Sequence, residues 1–185
     1  MFIFFVIWGT WFLSEVFLAR FIKSGSADSY KMDKNSLRIM WTTIITSIFA
    51  GVILMIYTNL PITAMHLTGY VGLFVIIAGM ILRIIAIISL GKIFTVNLTI
   101  HRNQHIIKKG LYRFIRHPSY TGSLLSFVGL GLSFNNWASL AVIAIPVIAS
   151  FIYRINVEEK LMLQQFGHEY TEYRKKTKRL IPFIY

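Results

Sequence analysis

The segment Gly110–Gly122, GLYRFIRHPSYTG, sets the reading of this chain. It places Arg113, Arg116, His117, two tyrosines and a proline between two long apolar regions. Proline inside a helix removes a backbone donor and clashes with the preceding turn. It fits the first turn, where its missing N–H costs nothing. Pro118 also biases His117 toward extended backbone. The spacing predicts a helix that starts at Pro118 and runs on through the apolar residues after Ser119. Its free N–H groups and positive dipole end then lie beside Arg116 and His117, a setting suited to an electron-rich ligand.

The flanks identify the solvent. Of 185 residues, 56% are hydrophobic and 14% charged, and the mean hydropathy is +0.64. Soluble domains usually carry more charge, and this length fits one domain. The net charge is +12, from 19 Lys+Arg against 7 Asp+Glu. In a soluble protein this would suggest nucleic acid. Here the basic residues fall between apolar runs, so a membrane surface is the expected partner and nucleic acid is not. With no cysteine, a disulfide frame and thiolate chemistry are excluded. Five scattered histidines without paired-ligand spacing argue against a metal site.

Residues 1–22 are apolar over about a bilayer's width. They lack the preceding positive charge and following cleavage site of a signal peptide, so they read as a retained span. Glu15 within it is expected near one end or paired inside the bundle, with a functional role as the alternative. A polar loop, 23–37, leads to a second span at about 38–57, broken by Asn59-Leu60-Pro61. A third span covers about 67–90. Arg83 within it reads as a side chain snorkelling to the interface, or as a charge lining an internal cleft. Residues 91–117 are amphipathic and basic, with Phe94–Ile100 open to an extended form. The fourth helix, Pro118 to about Phe134, is short for a crossing at roughly 1.5 Å per residue. Asn135-Asn136 turn the chain into a fifth span, about 137–153, which Pro146 is placed to kink. In residues 154–176, Leu161, Met162, Gln165, Phe166, Tyr170 and Tyr173 fall on one stripe. They predict a C-terminal amphipathic helix on the interface, broken or bent near Gly167.

The expected fold is therefore an all-α integral membrane protein of about five transmembrane helices, the fourth and fifth forming a hairpin. Five spans put 23–37, 91–117 and 154–185 on one side. Every Lys or Arg except Arg83 lies in or beside those segments. The positive-inside rule makes that side cytoplasmic and the N-terminus external. It also puts the RHP segment and the charged tail in one compartment.

Two clusters share this face. One is the Gln104–Tyr120 region. The other is Arg154, Glu158 and Glu159, in which Arg154 and Glu158 share a helix face. An ordinary surface ion pair is the plain reading of that second cluster. Directly below a span, however, a guanidinium can hold a carboxylate and Glu158 can hold an ammonium group. His117 alone reads as a hydrogen-bonded structural residue. The KKTKR run at 175–179 reads as a basic patch facing lipid. No phosphate loop, dinucleotide fingerprint or Ser-His-Asp order is present.

At these residues the chain resembles the isoprenylcysteine carboxyl methyltransferase family, part of a membrane methyltransferase group that includes phospholipid N-methyltransferases. The resemblance covers roughly residues 80–183. It rests on Gly110-x-Tyr112-x-x-x-Arg116-His117-Pro118-x-Tyr120-x-Gly122, then Arg154-x-x-x-Glu158-Glu159, then Phe166-Gly167-x-x-Tyr170-x-x-Tyr173, and ends in Arg179-Leu180-Ile181-Pro182. It implies one domain over 1–185, with N-terminal spans at 1–66 and a catalytic core at 67–185. It further implies S-adenosylmethionine as cofactor, surrounded by Gln104, His105, Ile106, Ile107, Tyr112, His117, Pro118, Ser119 and Tyr120. Glu158 would contact the cofactor's amino-acid end. Arg154 would face the methyl acceptor. One departure is Gln104-His105-Ile106-Ile107, where the family often has His-x-Leu-Val.

The implied activity is methylation of the carboxylate of an isoprenylcysteine-like or other lipophilic acceptor, small or carried on a lipidated partner. A carboxylate attacks a sulfonium methyl without a strong base, so alignment carries most of the catalysis. An amine acceptor, as in phospholipid N-methylation, would need a base, and Glu158, Glu159 and His117 are the candidates. An NADPH-dependent membrane reductase is separated by cofactor preference. A membrane scaffold or transporter would spread polar residues through several spans, and only Glu15 and Arg83 point that way.

Overall fold

Bilayer solvent satisfies no backbone polar group, so apolar stretches of this length fold as helices. The computed structural model describes residues 2–21, 29–64, 67–91, 98–101, 106–182 and 185, with backbone alone at 19–21, 29–34 and 98–101. Five helices carry the chain: α1 (Phe2–Phe21), α2 (Lys34–Tyr57), α3 (Leu67–Leu90), α4 (Pro118–Ser133) and α5 (Trp137–Lys176). α2, α3 and α5 are long and apolar enough to cross a membrane. α1 is apolar but shorter over its described side chains, and α4 has only 16 residues.

Two features depart from an all-helical reading. Strand β1 (Ser29–Asp33) pairs antiparallel with β2 (Leu98–His101), with Ser29 opposite His101 and Asp33 opposite Leu98. The segment expected as a polar loop thus contains a strand, and α2 begins at Lys34. Phe94–Asn97 lie outside the described residues. The second departure is α5, in which residues 154–176 continue the fifth helix instead of starting a new one. The stretch ahead of Gly167 alone amounts to roughly 45 Å, about one and a half times the hydrocarbon thickness. Its polar half therefore projects out of the apolar layer. Its backbone leaves helical geometry at Gly167 (φ 49°, ψ −117°), a left-handed conformation suited to glycine. Pro146 lies within the helix without such a break.

α4 packs on α3 through small residues. A Cβ on Gly79 would lie 2.5 Å from the Gly122 carbonyl oxygen, and one on Gly129 would lie 2.7 Å from that of Gly72. Close backbone approach of this kind drives helix association where lipid supplies no hydrophobic gain. The Asn135-Asn136 turn is tied down from outside. Asn136 Oδ1 accepts from Ser139 N–H at 3.0 Å, and its Nδ2 donates to Thr58 O at 3.1 Å. α2 and α4 flank the apolar half of α5, with Ile143, Val147 and Phe151 fully buried there.

At the polar end, the tail runs beside the RHP segment. Arg116 N–H donates to Lys178 O at 2.8 Å, and His117 N–H to Arg179 O at 3.1 Å. Glu159 on α5, 2% exposed, clamps both strands of this contact. Its Oε1 accepts from Arg116 Nε at 2.7 Å, and its Oε2 from Arg179 Nη2 at 3.0 Å. Arg179, expected in the lipid-facing basic run, instead turns inward, because burying Glu159 demands cationic partners. Lys175, Lys176 and Lys178 are exposed.

Gly129→Val will lower stability by about 1–3 kcal/mol through overpacking against α3, read as a lower midpoint in a detergent thermal melt. Gly9→Ala, with nothing within 4 Å of the new methyl, will hold or raise that midpoint, because alanine is the better helix former. Glu159→Ala will strand Arg116 and cost about 3–5 kcal/mol. An unchanged melt for Glu159→Ala would show that the clamp holds nothing.

Candidate active site

The site forms where α4 begins. Pro118 occupies the first turn as expected, and His117 precedes it with φ −125° and ψ 55°. The His117 and Tyr120 rings stack at 5.6 Å with 9° between planes. Each is thereby held against α5. His117 Nδ1 lies 3.8 Å from Glu158 Oε1, and Nε2 lies 3.4 Å from Glu159 Oε1. Tyr120 donates from its hydroxyl to Glu158 Oε2 at 2.8 Å.

The paired acids do different work. Glu159 is enclosed by the arginines of the clamp, so it cannot take a proton from a reacting group without breaking it. Glu158 keeps a 19% exposed side chain and one committed partner, Tyr120, so it retains acceptor capacity. Arg154 is 1% exposed and donates to Ser36 Oγ on α2 at 2.6 Å. The face shared with Glu158 thus points into the bundle, and a plain surface ion pair is not what forms.

Tyr112 lies in a short 3-10 turn, Gly110–Arg113, and is buried. Its hydroxyl lies 3.4 Å from Ala86 O, and its carbonyl accepts from Tyr173 O–H at 2.6 Å. Burial pushes the Tyr112 phenol far above its ordinary value, and the Glu158 charge adds to the shift. Tyr112 is therefore a neutral donor and not a base. Ile106 and Ile107 are half-buried at the edge of this region. Gln104 and His105 lie outside the described residues. Among the described residues no cluster of His, Cys, Asp and Glu could hold a metal ion.

The intramembrane charges belong to one another. Arg83 Nη2 lies 3.0 Å from Glu15 Oε2, with Glu15 buried and Arg83 half-buried. The snorkelling reading of Arg83 fails for that reason. The guanidinium points inward, where Nη1 reaches Ser123 Oγ and lies 3.4 Å from Ser119 O. Each charge is conspicuous alone in its apolar run. Their pairing is set by how α1 leans on α3, which periodicity does not reveal. Ser36, the partner of Arg154, carries no signal beyond being a serine at the head of a helix.

A model of the phospholipid methyltransferase family matches residues 67–169. Over 118 residues the chain is 38% identical to a probable protein-S-isoprenylcysteine O-methyltransferase from Oryza sativa subsp. indica, a match covering 63% of this chain and 62% of that protein. Protein-S-isoprenylcysteine O-methyltransferase B of Arabidopsis thaliana is 39% identical over 115 residues, covering 61% and 58%. The match to these relatives spans less than two thirds of their length. A solved structure of a eukaryotic intramembrane Ras methyltransferase, isoprenylcysteine carboxyl methyltransferase, has the same fold. Its TM-score is 0.65 at 24% identity, over 98% of this chain and 65% of that one. The family match takes in α3, α4, the RHP turn and α5 through Glu169, the elements that build the cluster described above. The chain belongs to the phospholipid methyltransferase family, and within it the resemblance to the isoprenylcysteine carboxyl methyltransferases holds.

Proposed function

We propose that this chain is an integral membrane methyltransferase that uses S-adenosylmethionine to methylate the carboxylate of an isoprenylcysteine-like or other lipophilic acceptor. The observation that carries the reading is the convergence of His117, Tyr120, Glu158 and Arg154 at the first turn of α4. The RHP segment, one membrane helix and the tail are locked together around that point. The names of the relatives favour a carboxyl acceptor over a phospholipid amine.

The residues present fit the cofactor. The half-committed Glu158 carboxylate suits a cationic amino group, and the buried His117 ring stacked on Tyr120 walls the same place. The first-turn N–H groups at Ser119 and Tyr120 have no acceptor within an α-helix, so they suit the cofactor's polar atoms. Ile106, Ile107 and Tyr112 supply apolar and neutral donor surface. Gln104 and His105 complete the proposed set. When bound, S-adenosylmethionine supplies a sulfonium methyl whose C–S bond breaks as an acceptor carboxylate oxygen forms the new C–O bond. Arg154 orients that carboxylate and, being fully enclosed, acts where screening by water is weak. Tyr120 holds Glu158 in place. No base is needed, which agrees with Glu159 being closed off as one.

The proposed topology has five crossings, with α1 and α4 completing the three long spans. The site faces the cytoplasm, where the exposed lysines of the tail also lie. A soluble cofactor then enters from water and an apolar acceptor from the bilayer.

Calorimetric titration of detergent-purified protein with S-adenosylhomocysteine, beside NADPH, tests the cofactor. Transfer of a labelled methyl group to N-acetyl-S-farnesylcysteine, beside a phosphatidylethanolamine, tests the acceptor. Binding of S-adenosylhomocysteine alone and methylation of the prenylcysteine are expected. NADPH binding alone would move the reading to a reductase. Glu158→Gln will weaken S-adenosylhomocysteine binding by about 10- to 100-fold, the worth of one charged hydrogen bond. Arg154→Ala will lower turnover by at least as much while changing that binding little. Near-normal activity in both variants would remove these residues from the site.

A further inference from the structure

We propose that the RHP turn and the tail together form a binding surface for anionic phospholipid headgroups, carried by Arg113, Phe114, Lys176, Lys178 and Ile181. The proposal rests on the membrane placement of the chain and not on methyl transfer, so its test reads lipid and not turnover. The two segments run side by side as a short parallel ladder. Ile115 is bridged to Lys178. Lys178 N–H donates to Phe114 O at 3.0 Å, and Arg116 N–H donates to Lys178 O at 2.8 Å. In extended backbone, successive side chains point to opposite faces. Ile115, His117 and Thr177 are buried and form the inner face, against the site. Phe114, Lys176 and Lys178 fall on the outer face, flanked by Arg113 and Ile181. All five are exposed, Phe114 and Ile181 at 51% and 49%.

The depth of this face is set by α3. The Tyr112 hydroxyl lies 3.4 Å from Ala86 O, and Arg83 lies 3.4 Å from Ser119 Oγ. The residues between Tyr112 and Ser119 therefore lie level with the last two turns of a membrane span that ends at Leu90. Headgroups and aromatic anchors meet a span at that level. The charge on the face is not neutralised from within. Lys108 and Lys175 are paired with Glu169 and Glu172 at 2.6 and 2.7 Å, and Arg179 turns inward to Glu159. Arg113 and Lys178 have no carboxylate within ion-pair distance among the described residues. The Arg113 guanidinium lies instead 5.7 Å from the centre of the Phe114 ring. Cations beside exposed apolar side chains match a ligand with a phosphate above an acyl chain. An acidic peptide would answer the cations and leave Phe114 and Ile181 without a partner. A phosphate between Arg113 and Lys178 would also tie the turn to the tail across the ladder that holds His117.

The chain has no cysteine, so Ile181→Cys accepts one bimane label. The labelled protein is placed in phosphatidylcholine vesicles, and nitroxide-labelled phosphatidylglycerol or phosphatidylcholine is added as quencher. A cation near a membrane surface favours an anionic lipid by roughly fivefold. Half-maximal quenching will need about five times less of the phosphatidylglycerol than of the phosphatidylcholine. Replacing Arg113, Lys176 and Lys178 by serine, all exposed positions where substitution disturbs the fold little, will bring the two amounts within twofold. Raising the salt to about 1 M, where screening acts over roughly 3 Å, will do the same in the protein that keeps its cations. Equal amounts at low salt with the cations present would overturn the proposal. So would a preference that survives both the serine substitutions and the salt. Quenching by neither lipid would overturn it as well, leaving the face in water and open to an acidic peptide instead.

Discussion

One buried carboxylate, Glu159, organises the polar end of this protein. It joins three segments distant in sequence: the RHP turn through Arg116, the helix α5 that bears it, and the tail through Arg179. A buried charge costs several kcal/mol unless it is paired and hydrogen-bonded, so the arginines are a condition of the fold. The backbone bonds from Arg116 and His117 to Lys178 and Arg179 then hold the tail as a strut against the turn. Only with that strut in place does His117 stack on Tyr120 and meet Glu158. The neighbouring acid is left half-committed because its partner in sequence takes the arginines.

The same rule, applied inside the bilayer, gives a different result. Glu15 and Arg83 have no water to fall back on, so they pair with each other, and Arg83 also donates to the hydroxyls of α4. The pairing joins α1 to α3 near the end of α1, and a cavity remains beside it. Between α3 and α4 the glycines have the opposite effect, bringing backbones into contact and leaving no space. Membrane packing therefore divides the structure into a tight half, which fixes the start of α4, and a looser half, open to lipid.

This division also explains which features were legible in the sequence. The start of α4 at Pro118 follows from local chemistry, since proline fixes φ and lacks a donor. The bounds of α3 follow from apolar length, and the Asn135-Asn136 turn from side chains that bond neighbouring backbone. Continuity of α5 past Tyr153 was hidden because the pattern changes from apolar to amphipathic there without any break in helical spacing. β1 and β2 were hidden because their pairing spans distant segments of unremarkable composition. At the site, the RHP turn and the Arg154–Glu158 spacing were visible as residue types. The separate fates of Glu158 and Glu159 were not, because adjacent helix positions point about 100° apart and only the tertiary neighbours decide which one meets the arginines.

The length of α5 connects these levels. From the Asn136 cap it rises roughly 33 Å through the apolar layer to Glu159 in the charged clamp. Ile143, Val147 and Phe151 anchor its first half by packing, and Arg154, Glu158 and Glu159 follow within two turns. The site is thus placed at a fixed depth by the rise of a single continuous helix. A loop at Tyr153 would have let the polar half swing relative to the membrane. With the helix unbroken until Gly167, Arg154 is held inside the bundle against Ser36 of α2, and Glu158 follows one turn further along the helix. In the proposed reaction, an acceptor that stays in the bilayer and a cofactor that stays in water would need a rigid span of this kind between their binding groups, because neither can leave its own solvent to find the other.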